Sequence, residues 1–410
     1  MEIEAIENDF NCKLLKVPKM FMLISGCWRF QFTKSQLLQK LYHRLYSLTC
    51  QGICLILLIC MAIRIPNLVN RDARRFVENV GFMTTFSLVA TKLVICRSST
   101  VGDLVSRIIH EEKALYLKGN PKIISNYNYH IKLTNKVHVI LLLAIYSVCI
   151  IGILPYFVIY LRNESQTELI INQGNITGEV SSEKILPIEM WMPFDQNNHY
   201  GKTIVIMFIF IFTQTTFNSV SQILYISLMI YVIAELKNLQ IIARKFDLEV
   251  SGEAESLANL KRLIIRHQKV IKFVDDLNDA IRYVMLQEYL LNSLSIANLM
   301  YQIPNSLKTS ILFTIFYIDF LIVLVIQLFF MSWHANEIQV QSLKLSDALY
   351  DSNWYQHSQK VNKTILLSMI RFQKQLVIWI GPFLPMNLSV AIASMKAAYS
   401  YVTMMSRFSE

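Results

Sequence analysis

Charged residues are scarce in this chain: they make up 17% of its 410 residues, whereas hydrophobic residues make up 54%. Soluble globular domains carry about 25% charged residues, so the composition argues against a soluble protein. The net charge of +10 is interpreted as a determinant of membrane orientation and of affinity for anionic lipid, and no nucleic-acid binding is predicted.

Cysteine is also limited, and its placement is uneven. The seven cysteines are Cys12, Cys27, Cys50, Cys54, Cys60, Cys96 and Cys149. All fall in segments predicted below to lie in the cytosol or the membrane, where a structural disulfide is not expected. The sequence therefore predicts no disulfide framework.

Motifs for catalysis and metal binding are missing from the sequence. The eight histidines are dispersed, and no two have the i, i+4 spacing of a helical metal site. No glycine-rich loop of the kind that binds phosphate is present. We therefore predict no metal, no cofactor and no enzymatic activity.

Long apolar stretches are abundant instead. Seven of them approach the roughly 20 residues that a helix needs to cross a bilayer. They are 45–65, 79–97, 138–161, 203–233, 284–303, 311–333 and 378–406. The sequence thus predicts an all-α integral membrane protein with seven transmembrane helices.

Basic residues set the orientation of these spans, because Lys and Arg accumulate on the cytosolic side. The segments 1–44, 98–137, 234–283 and 334–377 carry seven, six, nine and five of them. This predicts a cytosolic N-terminus and an extracellular C-terminus. An arginine cluster in the first outside loop (Arg64, Arg71, Arg74 and Arg75) runs against the trend without outweighing it.

The orientation divides the chain into alternating compartments. Two glycosylation sequons, at Asn163 and Asn175, fall in the outside loop 162–200 and are predicted to be modified. The predicted segments are a cytosolic arm at 1–44, four spans within 45–233, a cytosolic helical extension at 234–283, two spans within 284–333, a cytosolic loop and helix at 334–379, and a last helix with the extracellular C-terminus at 380–410.

The extension at 234–283 contains an apolar stripe of helical spacing that continues into the fifth span. It consists of Leu260, Ile264, Ile271, Val274, Ile281 and Met285, with His267 and Asn278 on the same stripe. So regular a stripe favours a helical bundle below the membrane. The alternative is an amphipathic helix that lies on the membrane surface.

Four segments, in order, resemble motifs of the insect odorant receptors, and the resemblance covers nearly the whole chain. They are Leu186–Asp195 before the fourth span, Gln268–Asn278 in the fifth-helix extension, Ser342–Tyr355 after the sixth span, and Met395–Arg407 around a Tyr-Ser pair in the last helix. The chain is therefore similar to members of that family.

The resemblance implies an odorant receptor that binds a small volatile organic ligand. It implies a tuning subunit that assembles with an odorant co-receptor into a heterotetrameric ligand-gated cation channel, in the plasma membrane of olfactory sensory neurons, with no obligatory G protein. Extensions of the fourth, fifth and sixth helices and the first part of the seventh would form a cytosolic anchor bundle. A gustatory-type homomeric channel remains the alternative.

The last apolar stretch is predicted to be interrupted, because Gly381, Pro382 and Pro385 disfavour a continuous helix. We expect a cytosolic helix at 357–379 and a membrane helix at 386–406. On the resemblance, the second helix lines the pore. The positions expected at the pore and its gate are Ala397, Tyr401, Met404, Arg407 and Phe408; packing against neighbouring helices is the alternative.

Ligand binding is expected in the outer half of the helices, between spans two and six. Affinity for a volatile must come from buried apolar area, at roughly 25 cal/mol per Å². The predicted contacts are Met83, Phe86, Ser87, Cys149, Gly152, Tyr156, Phe208, Phe212, Phe316, Tyr317 and Phe320. Ordinary helix packing is the alternative for any one of them.

Polar residues within the spans are costly in hydrocarbon and are usually paired or functional. Asp319 is a candidate for bonding a ligand hydroxyl, and Lys396 for facing polar groups at a subunit boundary. Hydrogen bonding between helices is the alternative for both. Lys92 lies near the cytosolic end of its span and is expected to extend its ammonium toward the interface.

Overall fold

Helix dominates the computed structural model, which describes residues 12–28, 36–69, 73–172, 186–196, 198–245, 252–308 and 310–409. The helices are α1 Lys16–Ile24, α2 Gln36–Val69, α3 Ala73–Cys96, α4 Ser99–Lys118, α5 Pro121–Asn172, α6 Tyr200–Arg244, α7 Glu253–Leu307, α8 Ile311–Tyr350, α9 Gln359–Phe372 and α10 Leu388–Ser409. A 3-10 turn spans Trp354–Gln356, and two short strands are β1 Trp379–Ile380 and β2 Leu384–Pro385. The predicted all-α class is confirmed.

The seven predicted spans lie in α2, α3, α5, α6, α7, α8 and α10. Of these helices, α2, α3, α5, α6 and α8 are long and apolar enough by themselves to cross a membrane. The spans in α7 and α10 carry more polar residues, among them Asn292 and Lys396. Neighbouring helices cover part of that polarity, since Asn292 is only 6% exposed.

Several helices are much longer than a membrane crossing, and their extensions pack into one bundle. The 55 residues of α7 correspond to about 80 Å at 1.5 Å per residue, against a hydrocarbon core of roughly 30 Å. The bundle core includes Leu236 of α6, Leu260 and Ile281 of α7, Ile338 of α8 and Ile365 of α9, all 0% exposed. The predicted helical bundle is thus present.

The apolar stripe of α7 faces this bundle, and α7 continues without interruption into the fifth span, as predicted. Val274 and Met285 are buried, while Ile264 and Ile271 lie partly buried at the edge of the core. The His267 ring packs edge-on against Phe372 of α9, with 4.6 Å between ring centroids. Burial, with Arg371 nearby, lowers the pKa of His267 to about 4, so the imidazole is neutral near pH 7.

The predicted break before the last helix is confirmed, but its form differs from the prediction. Helix α9 ends at Phe372, not at 379, and residues 373–378 form a turn and an irregular segment that leads into β1. The strands β1 and β2 then pair antiparallel as a hairpin, with Trp379 opposite Pro385. In the segment before β1, tertiary hydrogen bonds take the place of helical ones. The Leu376 N–H, for example, donates to Ser342 Oγ of α8 at 3.0 Å.

Gly381 sits at the tip of this hairpin, where other residues would be strained. Its φ is +58°, in the left-handed region. Its N–H donates to the Arg282 carbonyl of α7 at 2.8 Å. A Cβ at this position would lie 2.9 Å from Leu286 Cδ2, so glycine permits the hairpin to approach α7 closely.

The Asn278 side chain fixes the hairpin to α7 by two further hydrogen bonds. Asn278 Nδ2 donates to the Val377 carbonyl at 2.8 Å, and Asn278 Oδ1 accepts from the Trp379 N–H at 2.9 Å. From α8, Gln339 Nε2 donates to the Met386 carbonyl at 3.0 Å. The segment that leads into α10 is therefore anchored to both α7 and α8.

The motif at Leu186–Asp195 packs over the outer end of the bundle. The Trp191 N–H donates to the Cys60 carbonyl of α2 at 2.9 Å. Glu189, only 9% exposed, lies 3.7 Å from Arg64 Nε and 3.4 Å from an Arg75 guanidinium nitrogen. Arg64 and Arg75 belong to the arginine cluster that runs against the predicted distribution of basic residues. Both thus lie close to an acidic side chain at the same end of the helices.

Candidate ligand-binding site

A cavity of about 120 Å³ lies between α3, α5, α6 and α8. Its wall is built by residues spaced three or four apart on each helix, which places them on one face. The lining residues are Phe82, Thr85, Phe86 and Val89 of α3, Ile145, Val148, Cys149, Gly152 and Tyr156 of α5, Pro187 and Ile188, Phe208, Ile211, Gln214, Thr215 and Asn218 of α6, and Phe316, Phe320, Val323 and Gln327 of α8.

Most of the predicted ligand contacts lie on this wall. They are Phe86, Cys149, Gly152, Tyr156, Phe208, Phe316 and Phe320. Tyr317 lines a second cavity of about 40 Å³, which shares Phe82, Tyr156 and Phe316 with the first and reaches α7 at Asn298 and Gln302. The two cavities adjoin each other in the outer half of the membrane-spanning helices.

Three predicted contacts lie elsewhere. Met83 packs instead against the cluster around Leu57 and Met61 of α2. Ser87 is not on the wall, because the face of α3 toward the cavity is one residue out of register with the predicted one. Phe212 is 55% exposed, and its ring lies 5.4 Å from that of Tyr146 on the outside of the bundle.

Aromatic rings define the shape of the cavity. Tyr156 contacts Phe313 edge-on, with 5.4 Å between centroids, and Phe316 stacks with Phe320 at 6.1 Å. A Cβ at Gly152 would lie 2.9 Å from Phe316 Cε2. The absent side chain at Gly152 therefore makes room for the Phe316 ring.

The inner end of the cavity is polar, which the sequence analysis missed. Gln214, Thr215 and Asn218 follow the aromatic part of α6. The Thr215 hydroxyl lies 3.1 Å from Cys149 Sγ, and Gln327 of α8 completes this end. The signal was available, because 208, 211, 215 and 218 share one helical face.

Below this polar end lies a buried ion pair, which overturns the prediction that Lys92 extends to the interface. Lys92 is 1% exposed, and its Nζ lies 2.8 Å from Glu288 Oε1 of α7. Lys92 also donates to Asn218 Oδ1 at 3.3 Å, and Gln222 Nε2 donates to the same Glu288 oxygen. Helices α3, α6 and α7 thus meet in one polar network that touches the cavity through Asn218.

Asp319 and Lys396 have different surroundings. The Ser147 hydroxyl of α5 lies 3.1 Å from both carboxylate oxygens of Asp319, so this residue links α8 to α5. Asp319 is not on the cavity wall, which favours the structural alternative over a ligand contact. Lys396 is exposed on α10.

The face of α10 predicted to line a pore is uncovered in the single chain. Ala397, Tyr401 and Met404 are exposed, whereas Ala391 and Ala398, on the side of α10 packed against the other helices, are 1% and 3% exposed. The side chains of Arg407 and Phe408 lie outside the described residues, as does that of Asn163 near the end of α5. Asn175 lies outside them entirely.

The described residues contain no cluster of three His, Cys, Asp or Glu residues that could hold a metal ion. All seven cysteines are described, and each is a free thiol. The aromatic and aliphatic side chains that dominate the cavity wall are of the kind that binds a small, mainly apolar molecule.

Sequence comparison identifies relatives with a common description. The family described as 7tm odorant receptor matches residues 72–399. Odorant receptor Or2 of Anopheles gambiae is 30% identical over 152 residues, which cover 37% of this chain and 39% of that protein. Odorant receptor 10 of Aedes albopictus is 27% identical over 188 residues, or 45% and 49% of the two chains. Each alignment spans less than half of the relative's length.

The fold has a solved counterpart over almost its whole length. The insect olfactory receptor OR5 from Machilis hrabei superimposes with a TM-score of 0.74 at 19% identity, covering 98% of this chain and 99% of that one. Its complex with eugenol gives the same TM-score at 18% identity. The seven-helix architecture predicted from the sequence agrees with this match. The family match at residues 72–399 covers most of this chain. The chain therefore belongs to the 7tm odorant receptor family, and it is a multi-pass membrane receptor and not an enzyme.

Proposed function

We propose that this chain is the odorant-binding subunit of a ligand-gated, non-selective cation channel. The observation that carries the proposal is the aromatic cavity in the outer half of the bundle, with its volume of about 120 Å³. A small volatile gains affinity there by burying apolar surface, at roughly 25 cal/mol per Å². A receptor of the same fold forms a complex with eugenol, which supports assigning a ligand of this size class.

We assign ligand contact to the predicted residues on the two cavity walls. They are Phe86, Cys149, Gly152, Tyr156, Phe208, Phe316, Tyr317 and Phe320. Met83, Ser87 and Phe212 face other surroundings, so their substitution is expected to leave ligand selectivity unchanged.

The pore in this proposal runs along α10. Its uncovered face combines small and hydroxyl-bearing residues, such as Ala393, Ala397 and Ser400, with Tyr401 and Met404 toward its end. Such a face suits a hydrated path, and apolar rings at Met404 and Phe408 can close it by excluding water. Arg407 lies beside this gate. The ligand opens the pore by binding more tightly to an arrangement in which α7, α8 and α10 are shifted outward.

The remaining assignments complete the proposal. The chain assembles with the odorant co-receptor into a tetramer, in the plasma membrane of olfactory sensory neurons, with its N-terminus in the cytosol. The bundle around Leu260 and Ile281 provides contacts between subunits, and Asn163 and Asn175 carry glycans. Cations permeate without a G protein.

The functional test is expression with and without an insect odorant co-receptor, followed by recording of membrane current during application of a broad panel of volatiles. We expect rapid currents only with the co-receptor, insensitive to G-protein inhibitors. Current from the chain alone would instead favour a gustatory-type homomer. Silence in both settings, with surface expression confirmed, would count against odorant gating.

Gly152→Ala is expected to narrow the cavity. The added methyl group meets Phe316 at 2.9 Å, and overpacking of this kind costs about 1–3 kcal/mol when the ring has to move. We expect the half-maximal concentration of the bulkiest agonists to rise about tenfold, while the smallest agonists are affected little. Dose-response curves over a size series of agonists measure the difference.

Gly52→Ala is the matched control, because a Cβ at Gly52 of α2 has no atom within 4 Å. This variant is expected to respond like the parent chain at every ligand size. A uniform shift across the size series in Gly152→Ala would indicate general damage and not a narrowed cavity.

A further inference from the structure

The polar inner end of the cavity contains a buried donor that has no partner among the described residues. Gln214 of α6 lines the cavity and is 2% exposed. Its Nε2 is buried and has no hydrogen-bond partner among the described residues. A buried amide donor that remains unpaired is costly, so the position is one that a bound molecule can stabilise.

The other end of the Gln214 amide is already occupied. The Cys54 thiol of α2 lies 3.8 Å from Gln214 Oε1 and points its donor at that oxygen. In this arrangement the amide oxygen is engaged by the thiol, and the NH2 group has no partner among the described residues. The NH2 group is consequently the end left available.

Around this donor the wall is mainly apolar, and Gln327 of α8 is a further amide at the same end. Phe208 and Ile211 precede Gln214 on the same helix, and Phe316 and Phe320 face them from α8. Asn218 Oδ1 accepts from Lys92. The cavity thus has an aromatic outer part and a buried, unpaired amide donor at its inner end.

We infer that Gln214 is a specificity-determining residue that donates, through Nε2, a hydrogen bond to an acceptor atom of the odorant. The inference rests on the proposed function and adds the ligand class. A cavity of roughly 150 Å³ in another protein takes up benzene, so the space of about 120 Å³ here suits a body of about one ring. The favoured ligand is a single-ring or similarly compact volatile with one oxygen or nitrogen acceptor at one end.

Matched pairs of volatiles test this inference. The leading pair is acetophenone and α-methylstyrene, which have the same outline but differ in a carbonyl oxygen against a methylene group. The panel adds further single-ring ethers, esters and ketones with their hydrocarbon analogues. With the co-receptor present, we expect half-maximal concentrations roughly tenfold lower for the acceptor-bearing members.

Gln214→Leu removes the donor and is expected to bring each pair to nearly equal potency, mainly by weakening the acceptor-bearing member. Because the readout is a ratio within one variant, reduced surface expression does not change it. Thr213→Val is the matched control: its hydroxyl bonds to the Ile209 carbonyl of its own helix at 2.7 Å, and it is not on the cavity wall. This control is expected to keep the parental ratio.

Two results would overturn the assignment: hydrocarbons as potent as their acceptor-bearing partners in the parent chain, or an unchanged ratio in Gln214→Leu. Both leave odorant gating intact. Silence to every compound, with the protein at the surface, would instead contradict the proposed function and remove the inference with it.

Discussion

Lys92→Met is expected to remove most of the receptor from the cell surface. Lys92 and Glu288 form an ion pair with side chains 1% and 4% exposed, and the substitution leaves the Glu288 carboxylate buried without its cation. Removing one partner of a buried pair costs about 3–5 kcal/mol, which is a large part of a typical stability of about 5–15 kcal/mol. Surface labelling and the melting temperature of the detergent-solubilised protein report the loss.

The double variant Lys92→Met, Glu288→Gln tests the reason. Both charges are then absent, and Gln222 can still hydrogen-bond the new amide, so surface expression is expected to recover for the most part. Arg244→Met is the matched control, because Arg244 and Asp351 form a pair with side chains about 60% exposed and such pairs contribute little. If the double variant were as poorly expressed as the single one, the pairing account would be wrong.

Asn278→Ala is expected to uncouple the hairpin from α7. The variant loses the hydrogen bonds to the Val377 carbonyl and from the Trp379 N–H. It also leaves two backbone groups in a buried site without partners, at about 1–3 kcal/mol each. We expect a lower melting temperature and a strongly reduced maximal current per channel at the surface, because the base of α10 is no longer held in register.

Two further variants separate the hairpin from general effects on α7. Asn278→Asp keeps the acceptor for Trp379 but loses the donor to Val377, so an intermediate effect is expected. Asn259 lies on the same helix, and within the described residues its side chain only accepts a hydrogen bond from Arg262 at 3.3 Å. Asn259→Ala is therefore expected to have no effect. Equal effects of Asn259→Ala and Asn278→Ala would exclude a specific role for the hairpin.

The sequence predicted those features of the fold that are set by local pattern and composition. The continuous helix through Leu260 and Met285 followed from apolar periodicity, and the break at Gly381 followed from residues that disfavour a helix. The hairpin did not follow, because it is specified by Asn278, about a hundred residues away along the chain. A partner at that distance leaves no trace in a local pattern.

The sequence predicted only part of the cavity wall, again because it reports local pattern and not contacts between helices. Aromatic residues on α5 and α8 were correctly placed on the wall, since each span offers few alternative faces. On α3 the apolar and hydroxyl residues surround the helix, so the sequence did not distinguish the face of Phe82 and Phe86 from that of Met83 and Ser87. Lys92 was misjudged because its position near a span end suggested an interface, whereas its partner Glu288 lies on a different helix.

The attachment point of the hairpin has a mechanical consequence. Asn278 and Arg282 lie on either side of the middle of α7, which runs from Glu253 to Leu307. When a rigid helix of about 80 Å tilts about its midpoint, both ends move far but the midpoint hardly moves. When the same helix is translated along its axis, the midpoint moves as far as the ends do. The start of α10 is therefore expected to move when α7 shifts along its axis and to stay nearly in place when α7 tilts.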